Sequence, residues 1–468
     1  MKLSFYGATG NVTGSCYLLE SEHAKVVIDC GMFQERDLSS RNWADFPFIP
    51  ADIDAVVLTH AHLDHCGRLP RLFAQGFSGP VICTAATADV TEIILYDSAR
   101  LQAEDVAFKR KRHKREGRES PHPYEPLYGE EDVDATVAKL SRAEYDKPVE
   151  VAGDISVTFR EAGHILGSSS PVFKVGKGED ARRIVFSGDI GRWTVPLIRD
   201  PASIERTDYV VMESTYGNRV HKPNAAIPEN LARIINQTHR AGGKVVVPSF
   251  AVERAQELLY HINGLLEEKR IPQLPVFLDS PMAIRVTDLF RKHAGLLDAA
   301  AAEMIAAGRQ PCEFPGLELC RTREESQAIN ELEGPAIIIA GSGMCTGGRI
   351  KHHLLRYISG RENTIMFVGY QANGTLGRHI VNGAETVRIF GSQYNVDARV
   401  EKINGFSAHA DRNELLRWLS GMDEPPECVF VTHGEPAASK EFANILNWRD
   451  GWTTKVPEYG ETVELPAG

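Results

Sequence analysis

The sequence predicts an α/β protein, and three observations carry that prediction. Residues 1–60 contain short apolar and β-branched runs broken by Gly, Asp and Pro, the pattern of strands and turns. Beyond about residue 206, such runs alternate with helical patterns, as in a parallel sheet. Between them, the apolar run Ala55-Val56-Val57-Leu58 leads into His60-Ala61-His62-Leu63-Asp64-His65, which places metal-competent side chains in a turn leaving a buried strand.

In order, strands are expected at Leu3–Tyr6, Ser15–Glu20, Lys25–Asp29 and Ala55–Thr59, then a short helix at Gly67–Gln75. Ile93, Ile94, Ala99, Leu101 and Val106 mark an apolar face for a helix over Thr87–Phe108. Residues 109–128 are basic, polar and contain Pro, and read as a loop or insertion, followed by a helix over Glu130–Leu140. Strands resume at Ile155–Arg160, Val172–Val175 and Arg183–Ser187. The alternating region begins with a strand at Tyr209–Met212 and a helix at Pro228–Arg240, then pairs Lys244–Pro248 with Val252–Glu268 and Pro275–Leu278 with Pro281–His293. Ser280-Pro281 supplies an N-cap and a Pro at the first helical position. Strand Ala336–Ala340, helix Arg349–Tyr357 and strand Thr364–Gly369 follow. Helix Asp411–Ser420, strand Glu427–Thr432 and helix Ala437–Leu446 close the pattern.

A chain of 468 residues, 43% hydrophobic and 25% charged, has room for two or three globular domains. No apolar run approaches the roughly 18 residues of a membrane-spanning helix, and the N-terminus reads as a first strand. A cytoplasmic location is expected. Eight cysteines are scattered without a C-x-x-C pair, which argues against zinc ribbons and redox motifs; Cys66 alone abuts the histidine cluster. The net charge of −11 argues against nucleic-acid binding by the chain as a whole. Lys109–Arg118 runs the other way, with seven Lys or Arg and one Glu. It is either a solvated helix end or loop, or a local patch for phosphates.

Four potential ligands within six residues exceed the easy needs of one tetrahedral site. The spacing suggests two adjacent metals, a standard device for phosphoester hydrolysis. Three more β-rich runs end in a ligand: Val157–Gly163 before His164, Ile184–Gly188 before Asp189, and Val429–Thr432 before His433. A lone histidine after a strand is more often a packing or surface residue, so these gain weight only beside the first cluster. Two glycine-rich segments are set aside. Gly341–Arg349 has the form of an anion-binding strand–helix turn but lacks the Lys-Ser/Thr of a nucleotide phosphate loop. Gly7–Gly14 is followed by a strand rather than a helix, which excludes a dinucleotide site and leaves a hairpin turn beneath the cluster.

His60-x-His62-x-Asp64-His65, Gly163-His164, Ser187-Gly188-Asp189 and Thr432-His433-Gly434 resemble the motifs of the metallo-β-lactamase-fold β-CASP nucleases. This group includes the RNA-cleaving subunits of mRNA 3′-end processing. Glu213-Ser214-Thr215-Tyr216-Gly217 and Gly405-Phe406-Ser407-Ala408-His409-Ala410-Asp411 are similar to its further motifs. The resemblance implies an αββα metallo-β-lactamase sandwich from residues 1–205 and 396–468, interrupted by a parallel-sheet β-CASP domain at 206–395, with a substrate groove between the domains. It implies two zinc ions, with manganese as the alternative: one on His60, His62 and His164, the other on Asp64, His65 and His433, with Asp189 bridging. It gives Asp64, Asp189, Glu213 and His409 catalytic roles, with His409 as general acid and Glu213 as its partner. Ser407, Gly343 and Arg349 are candidates for substrate contact. His433 stands where the family's RNA-processing members carry histidine.

The function so implied is metal-dependent hydrolysis of single-stranded RNA by a hydroxide activated between two metals, leaving 5′-phosphate and 3′-hydroxyl ends. Endonuclease and 5′-exonuclease modes are not distinguished. No membrane partner is expected, and a homodimer is left open. The competing readings are a thioester or lactone hydrolase on the same scaffold, a DNA nuclease, and a non-catalytic RNA-binding subunit.

Overall fold

The computed structural model describes residues 1–119, 124–221, 226–422 and 424–466. The chain forms two compact units. One comprises Met1–Trp193, Asp200–Val220 and His409–Gly468, the other Thr194–Arg199 and His221–Ala408.

The first unit is built on two seven-stranded sheets. With strands numbered along the chain, the first sheet holds β1 (Lys2–Phe5), β2 (Tyr17–Glu20), β3 (Lys25–Ile28), β4 (Ala55–Val57), β5 (Val81–Thr84), β6 (Leu140–Ala143) and β22 (Glu461–Glu464), with β22 beside β1 and the rest in chain order. The second holds β7 (Pro148–Ala152), β8 (Ile155–Glu161), β9 (Ser169–Val175), β10 (Arg182–Phe186), β11 (Tyr209–Glu213), β20 (Cys428–Thr432) and β21 (Thr454–Lys455), also in chain order across the sheet. Alternation drives the packing. Ile155, Val157 and Phe159 of β8 are buried, while Ser156, Thr158 and Arg160 are less so. Leu3, Phe5, Leu19 and Ile28 from one sheet meet Val157, Phe173, Phe186 and Phe430 from the other in a single core.

Each outer face carries helices. Helix Ala85–Glu116 packs on β5 and β6. Leu415, Trp418 and Leu419 of helix Arg412–Leu419 and Phe442 of helix Pro436–Ile445 cover Val185, Val210, Met212 and Val429 of the second sheet. The result is the αββα sandwich.

The second unit contains a six-stranded sheet in the order β14 (Leu317–Leu319), β13 (Val276–Asp279), β15 (Ala336–Ala340), β12 (Lys244–Pro248), β16 (Thr364–Phe367) and β19 (Arg399–Lys402), and a hairpin of β17 (Thr386–Ile389) and β18 (Ser392–Asn395). All pairings in the larger sheet are parallel. Helices cover both faces, so β15 reads as the unbroken apolar run Ala-Ile-Ile-Ile-Ala, every residue buried.

Several elements differ from expectation. The helix predicted over Thr87–Phe108 runs from Ala85 to Glu116, so residues 109–116 are helical rather than loop. Thr84 caps its start, Lys and Arg are good helix formers, and no breaker intervenes before Gly117, whose left-handed backbone (φ +62°) ends it. Residues 120–123 of the expected 109–128 loop lie outside the described residues. The helix predicted to Leu140 stops at Val137, and Leu140 begins β6. The strand beginning at Tyr209, expected to open the alternating region, lies between β10 and β20 of the sandwich; a fully buried parallel strand looks the same in either sheet. No helix among the described residues is long and apolar enough to cross a membrane.

Candidate metal centre

The four ligand-bearing turns follow strands of both sheets: His60 to His65 after β4, His164 after β8, Asp189 after β10 and His433 after β20. Close backbone contacts fix them. An added Cβ at Gly31 would lie 1.6 Å from the Asp64 carbonyl oxygen, and one at Gly191 would lie 1.6 Å from that of Gly163; only glycine allows these approaches. His433 adopts a left-handed backbone (φ +47°), held by its N–H donating to Ala8 O at 2.7 Å. The Gly7–Gly14 loop, which joins the antiparallel pair β1 and β2, thereby supports the centre from below.

Two groups of donor atoms result. His60 Nε2 and His164 Nε2 each lie 3.1 Å from His62 Nδ1, and they stand 3.4 and 3.5 Å from Asp189 Oδ2. In the other group, His65 Nε2 is 3.2 Å from His433 Nε2, Asp64 Oδ2 is 3.6 Å from His433 Nε2, and Asp189 Oδ1 is 3.4 Å from His65 Nε2. Asp189 presents one oxygen to each group.

These residues fit a metal. Donors about 2.0–2.1 Å from a tetrahedral zinc are separated by about 3.3 Å, close to the spacing of the first group. Asp189 Oδ1 is buried without a hydrogen-bond partner, a costly state unless a cation completes it. Burial lowers the pKa of His60 to about 3 and of His62 to about 4, and it holds His164 well below its ordinary value. These rings are therefore neutral and carry lone pairs for coordination.

A further set of residues orients the ligands. His65 Nδ1 donates to Asp29 Oδ2 at 2.7 Å, and Asp29 also accepts from Thr59 N and Thr59 Oγ1, each at 2.8 Å. Thr59 Oγ1, having given its proton to Asp29, accepts from His60 Nδ1 at 3.0 Å. Thr215 Oγ1 does the same for His433 Nδ1 at 3.1 Å. In each case the outer nitrogen is occupied and the inner one faces the cluster. Asp29 and Thr215 were not singled out by the sequence; the only hint for Asp29 is its position at the end of a buried strand. Cys66 is not a donor to the cluster. Its thiol gives a hydrogen bond to Ala61 O at 3.3 Å, and burial pushes its pKa well up.

Glu213 ends β11 and is buried. Its Oε1 accepts from Ile190 N at 2.5 Å, and its Oε2 lies 3.2 Å from His409 Nδ1. His409 Nδ1 is also 3.9 Å from Asp189 Oδ2. Burial opposes charge on His409, but the carboxylates of Glu213 and Asp189 outweigh it and raise its pKa to about 9.

The chain matches the metallo-β-lactamase superfamily over residues 9–208, the β-CASP domain over 255–380, and the Zn-dependent metallo-hydrolase RNA specificity domain over 393–457. It is 39% identical to Ribonuclease TTHA0252 of Thermus thermophilus, over 99% of this chain and all of that one. The chain belongs to the β-CASP family of metallo-β-lactamase-fold proteins. Another β-CASP relative is the transcription termination factor FttA of Methanosarcina mazei, 32% identical over 99% of this chain and 72% of that one. A crystal structure of a protein of unknown function from Enterococcus faecalis has the same fold, with TM-score 0.57 and 13% identity over 99% of each chain. The family is one of metal-binding hydrolases, and the His/Asp cluster is a donor set that could hold metal.

The three candidate substrate-contact residues lie in the second unit. Gly343 makes room for an aromatic ring: a Cβ there would lie 2.6 Å from Phe250. The Arg349 guanidinium is committed to Asp279 Oδ1 at 2.7 Å and to the carbonyls of Cys320 and Arg321, as in a tight strand–helix junction. Ser407 is half-buried in the segment after β19.

Proposed function

We propose that the protein is a metal-dependent ribonuclease that hydrolyses phosphodiester bonds of single-stranded RNA, leaving 5′-phosphate and 3′-hydroxyl ends. His60, His62, His164 and Asp189 would hold one zinc ion, and Asp64, His65, His433 and Asp189 a second. When bound, such a pair supplies Lewis acidity to the phosphate and acidifies water. The protein's own residues do the rest. Asp29, Thr59 and Thr215 hydrogen-bond the outer ring nitrogens of His65, His60 and His433 and so turn the inner nitrogens toward the cluster. Glu213 accepts the Nδ1 proton of His409, leaving the Nε2 proton for the departing 3′-oxygen. Glu213 is itself held by the Ile190 amide, so the acid is oriented before substrate arrives.

The observation that carries this reading is the His409–Glu213 pair standing 3.9 Å from the shared carboxylate of Asp189. An acid beside a dinuclear donor set suits the expulsion of an alkoxide. RNA as substrate is supported by the full-length similarity to a named ribonuclease and by the RNA specificity domain match, which contains His409 and His433.

The test uses end-labelled RNA, matched DNA, and thioester and lactone substrates with zinc-loaded protein. RNA cleavage with 5′-phosphate ends, lost in His409→Ala, is expected. Turnover of thioester or lactone alone would replace the proposal with a small-molecule hydrolase, and equal cleavage of DNA would remove the preference for RNA.

A further inference from the structure

The catalytic reading leaves the basic stretch Lys109–Arg118 without a role. It lies at the end of the 32-residue helix Ala85–Glu116, whose buried residues all fall between Ala86 and Ala99. Beyond these, one face is covered by the chain that follows. Gln102 Oε1 accepts from Leu127 N at 2.9 Å, Arg110 Nη2 donates to Tyr124 O at 2.9 Å, and His113 Nδ1 meets the Tyr124 hydroxyl at 2.9 Å.

The opposite face carries Phe108, Lys111, Arg112 and Arg115, a spacing of i, i+3, i+4 and i+7 that forms one stripe. Phe108 is 63% exposed. Among the described residues, Lys109 pairs with Asp105 and Arg118 with Glu116, whereas Lys111, Arg112 and Arg115 have no carboxylate partner. Cations near a helix C-terminus stabilise its dipole, but that effect is confined to the last turn. It explains neither Lys111 and Arg112 nor an aromatic ring left in water among them. An exposed ring interleaved with unpaired cations is what single-stranded nucleic-acid surfaces combine: stacking for a base and charge for its phosphates. A lipid surface would require a broader apolar face; here, among the described residues of the helix, Phe108 is joined only by the exposed Leu101, two turns back.

The stripe is also rigidly tied to the metal centre's unit. At the other end of the helix, Thr84 and Thr87 both donate through Oγ1 to Gly167 O at 2.7 Å, three residues after His164. Phe108 stands about 30 Å along the helix from that anchor, at about 1.5 Å per residue.

We propose that Phe108, Lys111, Arg112 and Arg115 form an accessory site for single-stranded RNA, with phosphates on the three cations and a base stacked on the ring. The nature of the polyanion rests on the ribonuclease reading; the stripe itself does not.

The test measures binding of a labelled 30-nucleotide single-stranded RNA as a function of salt, in full-length protein carrying His409→Ala to prevent cleavage. Combined Lys111→Gln, Arg112→Gln and Arg115→Gln should reduce the slope of log K against log salt by about 2, at about 0.7 per phosphate contact. Phe108→Ala should weaken binding roughly 5- to 150-fold, and Phe108→Trp should restore it. Introduced into active protein, the same changes should leave cleavage of a four-nucleotide RNA unaltered, because at about 3.4 Å per stacked nucleotide it cannot span the separation. An unchanged slope and affinity would overturn the site. So would a matching loss on the four-nucleotide RNA, or capture of anionic phosphatidylglycerol vesicles in place of RNA. Failure of unmodified protein to cleave any RNA would instead sink the ribonuclease reading, while the salt slope would still judge the stripe.

Discussion

His409 Nδ1 and Glu213 Oε2 stand 3.2 Å apart although 196 residues separate them in the chain. Glu213 has no freedom to relax, since its other oxygen is held by the Ile190 amide. His409→Ala should therefore lower the rate of the chemical step by about 10²–10⁴-fold, the usual worth of a positioned acid. Glu213→Gln should lose less, because the histidine remains but its tautomer and charge are no longer fixed. Single-turnover RNA cleavage separates the two effects from binding, and KM should stay within a few-fold for both. A wild-type rate in His409→Ala would remove this residue from the chemistry.

Asp29 is predicted to matter for metal affinity without touching the metal. Its carboxylate takes the proton of His65 Nδ1 and two donors from Thr59. Asp29→Asn would turn an amide N–H toward one of these donors. Zinc affinity should fall about 10–100-fold, measured by chelator competition. The same titration should show zinc raising the melting temperature of the unaltered protein, by mass action on the folded state. Equal zinc affinity in the variant would show that Asp29 is only a packing residue.

Gly31→Ala should damage the centre through the backbone. Its Cβ would meet the Asp64 carbonyl at 1.6 Å, so the ligand turn must shift. A destabilisation of roughly 2–4 kcal/mol is expected, together with weaker zinc binding. Gly264→Ala lies in a helix with open space around the added Cβ and should be neutral or slightly stabilising in the same denaturation assay.

The second unit should carry its own acid sensitivity through His261. Burial lowers the pKa of this ring to about 4, whereas in the unfolded chain it is about 6.5. Above pH 6.5 both states are neutral and the group costs nothing. As pH falls from 6.5 towards 4, the unfolded chain takes up the proton first, and up to about 3 kcal/mol of stability is lost. Denaturation of wild type and His261→Gln across this range should converge at low pH, with the variant showing the flatter curve. Parallel curves would refute a buried neutral His261.

The candidate donor set is legible in the sequence because each donor-bearing turn follows an apolar strand, and strand ends are where a sheet presents side chains. The second layer was not legible. Asp29 reads as the last residue of an ordinary strand until His65 is known to lie beside it. Arg349 shows the converse: its glycine-rich context suggests anion binding, but the buried Asp279, 70 residues earlier, takes the guanidinium. Short polar edge strands also escape periodicity. Ser141 and Arg142 of β6 are exposed, and β22 is recognisable only from its pairing with β1 at the other end of the chain. The basic stretch Lys109–Arg118 reads equally as a helix end or a loop because polarity without an apolar stripe hides its helix propensity.

The order of the ligands along the chain has a consequence for biosynthesis. Five of them, His60 to His65 and His164, together with Asp189, emerge from the ribosome before most of the second unit, but His409 and His433 come only after that unit has been made. A nascent chain stopped short of residue 433 holds neither a complete second donor group nor, before 409, the acid. A ribonuclease of this design would be unable to attack the message from which it is being translated until its chain had grown past residue 433.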